Sequence, residues 1–421
     1  MQVNTSRPTL KSLDAALAEL LVHAQPLKGV DEVSTFEADG RVLASDVVSS
    51  LQVPPLDNSA MDGYAVRCVD TATPDAVLQV TQRIPAGSVG NLLAAGQCAR
   101  IFTGAPIPPG ADAVVMQEDC VLLDLSDHPI PSIRVRSSPT AGQWIRRAGE
   151  DVTRGAQVLS QGQRLTPASL GLAASMGLSI LRVARRPKVA LFSTGDELVM
   201  PGDIAPEHMP AGAIYNSNRF FLRALLNRLG CDVTDFGIVP DQREATLNAL
   251  RDAAAHHDLI LTSGGVSVGE EDHIKPAVQH LGQLDLWQIA IKPGKPFAYG
   301  KIRRATDSDC HFCGLPGNPV SSFMTFLLLV RPFLLRLQGC QQVAPQSFPL
   351  AAHFNWPRAD NRQEFLRVQL NASGGLKLFS NQSSGVLTSA VWGDGVVNNP
   401  AGQTIAHGDM VQFISFANLL N

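Results

Sequence analysis

A surplus of positive charge is the first thing missing from this chain. Its 34 Lys and Arg stand against 38 Asp and Glu, a formal net charge of −4 over 421 residues. Without a basic surplus, nothing advertises nucleic acid or an anionic membrane as a partner. Charge of either sign is sparse, at 17% of residues, while the apolar share of 45% is ordinary. No apolar run approaches the roughly 20 residues of a membrane span, and the polar start MQVNTSRPTLK does not read as a signal peptide. These absences lead us to expect a soluble, cytoplasmic protein. Cys68, Cys98, Cys120, Cys231, Cys310, Cys313 and Cys340 are scattered and odd in number, so no disulfide framework is expected. Cys310-His311-Phe312-Cys313 has CxxC spacing, but no second CxxC or His pair stands nearby to complete a metal site.

What is present is a succession of textures. The length exceeds what one core supports and suggests about two to four domains. Residues 12–25 read as a helix capped by Ser12, with Leu13, Leu17, Leu20 and Leu21 on one face. A second helix is expected over Leu43 to Ser49. From Gln52 to Trp144, short Val-rich runs alternate with Gly and Pro, which predicts an inserted, mostly β module. Two loops in it concentrate polar groups, Pro54 to Val66 with Asp57, Asn58, Ser59 and Asp62, and Thr103 to Gly110. Turn chemistry and a functional role are both open to them. Helix resumes over Leu165 to Met176. From Val189 onward strands alternate with helices, through helices at Ser217 to Leu229 and Gln242 to His256 and strands at Val233 to Val239 and Leu259 to Leu261. A helix near His273 to His280 follows, then strands near Trp287 to Ile291, Pro296 to Tyr299 and His311 to Leu315, and a helix Val320 to Leu337. Repeated βαβ units predict a doubly wound, mostly parallel α/β sheet. Past Gln341, alternation in Gln363 to Leu370, a Gly374-Gly375 turn and a strand Met410 to Phe416 predict a small β-barrel-like domain.

The chain is organised around Asp258 to Asp272, a buried strand feeding Ser263-Gly264-Gly265-Val266-Ser267-Val268-Gly269 and then three acids. Glycines let backbone N–H groups surround an oxyanion, the serines add hydroxyls, and a carboxylate downstream can hold a divalent cation against a phosphate. In doubly wound sheets, ligands sit beyond the carboxyl ends of the strands. The loops expected there are Ser193 to Glu197, Pro240-Asp241, Ser263 to Asp272, Lys292 to Lys295, and Gly314 to Ser321. They offer the carboxylates Asp196, Glu197, Asp241 and Asp272, the cations Lys292 and Lys295, and a Pro-started helix whose free N–H groups favour an anion. That is an inventory for Mg²⁺ and a phosphate or other oxyanion. Arg362, Arg367, Ser383, Ser384 and Ser389 can be read as edge residues or as groups reaching an anion.

In this order and at these spacings, DNSAMDGYAVR, TGAPIPPGADAVV, STGDEL, SGGVSVGEED, KPGKPFAYGK and GLPGNPVSS resemble the molybdopterin molybdenumtransferase (MoeA) family, homologous to the E domain of gephyrin. The resemblance implies an enzyme of molybdenum cofactor biosynthesis. It would take adenylylated molybdopterin and molybdate, cleave the adenylate with Mg²⁺, and release AMP and the finished cofactor. It also implies four domains in an elongated homodimer: a discontinuous helical linker domain, 1–50 and 146–187; an inserted mostly β domain, 51–145; an α/β molybdopterin-binding-like domain, 188–338; and a β-barrel-like domain, 339–421. The implied partners are the second subunit, the molybdopterin adenylyltransferase and acceptor molybdoenzymes.

Carried onto this sequence, the family's catalytic positions are Asp62, Thr103, Asp151, Glu197, Asp241, Asp272, Lys292 and Lys295. The substrate-binding positions are Ser263, Gly264, Gly265, Ser267, Gly269, Pro316, Gly317, Asn318, Pro319 and Ser321, with Arg362, Arg367 and Ser384 in the last domain. Asp272, Glu197 and Asp241 are the expected metal ligands. Gln288 stands where some relatives have a lysine. A non-catalytic scaffold like gephyrin in receptor clustering would need only the fold and the dimer, and the intact acidic and lysine positions favour catalysis instead. A generic nucleotide-phosphate enzyme would account for the Gly loop but not for the AMDGYA module.

Overall fold

The computed structural model describes residues 10–73, 75–123, 130–239, 242–265, 273–304 and 308–420. At its centre is a six-stranded sheet. In spatial order its strands are Asp232–Val239, Lys188–Thr194, Leu259–Ser263, Cys310–Leu315, Pro296–Ile302 and Gly282–Gln288. The first four are mutually parallel and the last two run antiparallel to their neighbours. A strand buried on both faces is apolar at every position, and the period of two then sends alternate side chains to opposite cores. Val189, Leu191, Leu259 and Leu261 enter one core, and Ala190, Phe192 and Ile260 the other. Cys310 and Cys313 divide in the same way, so the CxxC residues sit on opposite faces of one buried strand.

The helix Pro319 to Leu337 fills the first core. It is 19 residues long with mean hydropathy 1.6, closer to a membrane span than the sequence suggested, but 89% of its apolar window is buried inside the protein. It widens into a π-helical turn at Phe326–Val330, just before Pro332, which has no N–H to donate to the preceding turn. Leu13, Ala16 and Leu20 of the N-terminal helix share this core, as do Phe365, Val396 and Ile414 of the C-terminal sheet. That sheet runs Ile291–Lys292, Gln363–Leu370, Gly395–Asn399, Met410–Ser415 and Phe348–Ala351, with Leu376–Leu378 closing the hairpin at Gly374.

The inserted module is a six-stranded sheet ordered Ala113–Met116, Gly63–Val66, Gln97–Ile101, Ala76–Ile84, Ser132–Val135 and Cys120–Leu122. It has two apolar cores of its own. The helix expected over Leu43 to Ser49 does not form. Val47–Val48 pairs with Gln157–Leu159, and Val42 and Leu43 bridge to Arg164 and Val183. The β-branched valines take strand partners supplied more than a hundred residues later. The linker expected to be helical also pairs Val30–Ser34 with Ile180–Ala184, the strands that follow its helices Leu13–Val22 and Pro167–Ser175.

Candidate active site

The Lys188–Thr194 strand is flanked by strands that precede and follow the helix Arg243–His256, so the chain reverses direction across the sheet at its carboxyl end. The backbone leaves that end in conformations only glycine accepts readily. Gly195 has φ +138°, and a Cβ there would lie 2.4 Å from the Glu197 carboxylate, which folds back against it. Gly264 has φ +93°, and its Cβ would lie 2.8 Å from the Thr194 carbonyl oxygen. The exits of two neighbouring strands therefore touch backbone to backbone. Gly264 N also donates to the Leu315 carbonyl at 3.0 Å, which ties in the third exit, Pro316-Gly317-Asn318.

These three exits wall a cavity of about 640 Å³. Of the positions named from the sequence, Glu197, Ser263, Gly264, Gly265, Pro316, Gly317, Asn318, Pro319 and Ser321 line it. Asn218 braces two walls, its Nδ2 donating to Ser263 Oγ at 2.8 Å and to the Gly317 carbonyl at 2.7 Å. Thr194 Oγ1, Asn216 Nδ2 and Asn218 Oδ1 are buried in this lining without a hydrogen-bond partner among the described residues. Buried polar atoms left open in a cavity wall are the mark of a polar ligand site. Asp241, Ser267, Gly269 and Asp272 lie outside the described residues.

The two lysines do not join this cavity. Lys292 belongs to the C-terminal sheet, where Ile291–Lys292 pairs in parallel with Gln363 and Glu364. Its Nζ lies 3.0 Å from Glu364 Oε1 and 3.3 Å from Asp360 Oδ2. Arg362 forks onto Asp360 with two bonds of 2.9 Å and holds that carboxyl well below its usual range. Lys295 is exposed and lines a second hollow of about 710 Å³ with Gln288, Asp360 and Arg362.

Arg367 is neither an edge charge nor free for an anion. It is 1% exposed, and its Nε, Nη1 and Nη2 donate to Ser389 Oγ, the Phe365 carbonyl and the Ser383 carbonyl. Burial lowers its pKa to about 10. The loop it holds presents the Ser384 carbonyl to Val320 N at 2.9 Å, so Ser384 meets the start of the long helix through its backbone.

In the inserted module, Asp62 Oδ1 accepts from both the backbone N and the Oγ1 of Thr103, each at 2.8 Å, on an exposed corner. Those two donors, with Arg100 beyond, lower the Asp62 pKa. Asp151 lines a separate hollow with Asn58, Arg146 and Glu150. Among the described residues, none of the inserted module lines the 640 Å³ cavity.

Three family models match in succession: the MoeA N-terminal region (domain I and II) at residues 11–177, the probable molybdopterin binding domain at 190–336, and the MoeA C-terminal region (domain IV) at 349–416. A molybdopterin molybdenumtransferase of Haemophilus influenzae is 41% identical over 373 residues, covering 88% of this chain and 89% of the relative. The chain belongs to the molybdopterin molybdenumtransferase (MoeA) family. It is accordingly a transferase of molybdenum cofactor biosynthesis. Molybdopterin molybdenumtransferase 2 of Mycobacterium tuberculosis is 38% identical over 373 residues, with 85% and 87% of the two chains covered. The crystal structure of the molybdopterin biosynthesis MoeA protein from Pyrococcus horikoshii superposes with TM-score 0.81 at 27% identity, over 97% of this chain and 100% of that one.

Every residue lining the 640 Å³ cavity falls in the segment that matches the probable molybdopterin binding domain. Reading the sequence missed Asn216 and Asn218 there, and passed over Thr194. Their signal was Asn216-Ser217-Asn218 at the head of an amphipathic helix, where Asn216 Oδ1 caps Arg219 N at 3.2 Å. It also missed Asp360 and Glu364, the carboxylates that claim Arg362 and Lys292.

Proposed function

We propose that this MoeA family member inserts molybdate into adenylylated molybdopterin and releases AMP, in the cytoplasm, as a homodimer. The observation that carries the reading is the cavity at the strand reversal, with its glycine-lined walls, its open polar atoms and its match to the molybdopterin-binding segment. Gly264 and Gly265 let a phosphate approach the backbone closely, and the Pro319 helix turns its N-terminal end toward the same space. Asn218 fixes the distance between the two walls. Lys295, next in the chain to Pro296 of the cavity lining, supplies positive charge from its own hollow for an incoming oxyanion.

The described lining offers a carboxylate, hydroxyls and amide oxygens and no thiol or imidazole, which is the donor chemistry Mg²⁺ takes. Glu197 would hold the ion together with Asp241 and Asp272, which would neutralise the phosphoanhydride as charge builds on the leaving AMP. The dithiolene sulfurs of the substrate bind the molybdenum, so the chain needs no nucleophile of its own. The test is AMP release from adenylylated molybdopterin with Mg²⁺, with and without molybdate. Release stimulated by molybdate, with cofactor formed, supports the reading. Intact substrate under both conditions overturns it.

A further inference from the structure

Arg331 lies in the long core helix with 7% of its surface exposed, and among the described residues no carboxylate pairs with it. Its Nη1 donates to the Val343 carbonyl at 3.1 Å and its Nη2 to the Asn418 carbonyl at 3.2 Å, while Nε has no partner. Arg164 is half-buried and likewise has no carboxylate partner among the described residues, with its Nε on the Gly40 carbonyl at 3.1 Å and its Nη2 on the Arg228 carbonyl at 2.7 Å. The two guanidinium groups line one cavity of about 450 Å³, together with Ser160, Gln163, Cys340 and Gln342. Arg336 stands beside it, with its Nη2 on the Gln341 carbonyl and a buried Nε left open.

Burial and then Arg164 both depress the Arg331 pKa, so the two charges repel. Burial pushes the Cys340 thiol up, against the pull of Arg164, Arg331 and Arg336, and no carboxylate acts on it. Buried cations are expected to be paired, and a cluster answered only by backbone carbonyls is short of a counter-ion. Guanidinium forks match the spacing of oxygens on a tetrahedral oxyanion.

We propose that this cavity binds a phosphate oxyanion, as inorganic phosphate or as the head of a phosphate monoester. Its walls come from the 160–164 loop, the Arg331–Leu337 helix and the segment leading to the C-terminal sheet, and the Asn418 carbonyl in the last helix holds Arg331 from behind. A bound anion thus ties together three parts of the chain. The cavity shares no lining residue with the molybdopterin cavity, so this site is independent of the catalytic reading.

The test is isothermal titration and thermal melting of the full chain with inorganic phosphate, against chloride at matched ionic strength. We expect saturable phosphate binding and a phosphate-dependent rise in Tm. Arg164→Gln, at a half-buried position, should weaken binding on the order of tenfold, as for the loss of one charge-assisted contact, and Arg331→Lys should weaken it too. Lys295→Gln should leave the Arg164-dependent part of that binding unchanged, which separates this site from the catalytic region. Tighter binding of glycerol 2-phosphate than of phosphate identifies the ligand as a monoester, and the reverse order identifies the free anion. A chloride response equal to that of phosphate, or a full phosphate response in Arg164→Gln, overturns the proposal.

Discussion

Lys292 lies between Glu364 and Asp360, and Glu364, at 1% exposed, also accepts from Trp356 Nε1 at 2.6 Å and Asn399 Nδ2 at 3.2 Å. Lys292→Gln therefore leaves a buried carboxylate short of its cation and should cost about 1–3 kcal/mol. From sequence alone, both lysines are expected to face solvent, capture an anion and contribute little to folding. Lys295→Gln should stay within about 0.5 kcal/mol, its position being exposed, and on the proposed function should raise the molybdate requirement. Urea denaturation of the two variants checks the difference, and equal midpoints would remove Lys292 from the structural role. His311 gives a pH dependence. Burial, then Lys301 and His23, lower its pKa from 6.5 to about 4, with Tyr299 Oη 3.0 Å from its Nδ1 and Phe333 packed edge-on. As pH falls, the unfolded chain takes the proton near 6.5 and the folded one only near 4. Stability should thus decline across that window, by up to about 3 kcal/mol from this group. Melting curves for the parent and His311→Asn should show a shallower decline in the variant.

At the scale of elements, the strand exits are the sensitive parts. Gly264→Ala would put a Cβ 2.8 Å from the Thr194 carbonyl oxygen at φ +93°, with no flexible side chain to give way. The clash and the strained backbone together should cost about 1–3 kcal/mol. The cavity wall should be disturbed as well, so transferase activity should fall further than the melting curve alone predicts. Unchanged activity and unchanged melting would mean that the two exits move apart freely. The parallel strands and amphipathic helices were legible in sequence because their apolar periodicity is local. The Leu43 to Ser49 segment was misread because its strand partners, Gln157–Leu159, are remote. The π-helical turn had a local sign in Pro332, which removes one donor from the ladder, but the turn's position depends on how Phe326 to Val330 fit the core.

At the scale of the whole molecule, the inserted module has its own two cores, and none of its described residues lines the 640 Å³ cavity of its own chain. Yet it carries the Asp62–Thr103 pair on an exposed corner. In a two-fold dimer that corner can serve the partner's cavity, so the proposed active site would be composite. Mixing Asp62→Ala with Asp272→Ala chains under subunit exchange should then restore activity, to at most about a quarter of the parent level for random exchange. Demonstrated exchange without recovery would mean that each chain builds its site alone. By itself, the order of the motifs determined the family, and the glycines and prolines of the Ser263 and Gly314 loops marked positions that line the cavity at the strand ends, because turn chemistry and strand periodicity act over a few residues. Only the tertiary structure decided which charges remain free. Lys292 and Arg367 meet their partners through packing of segments distant in sequence, whereas Arg362 forks onto Asp360 two residues away; Arg164 and Arg331 converge with no carboxylate partner among the described residues, because burial and pairing depend on neighbours the sequence places far away.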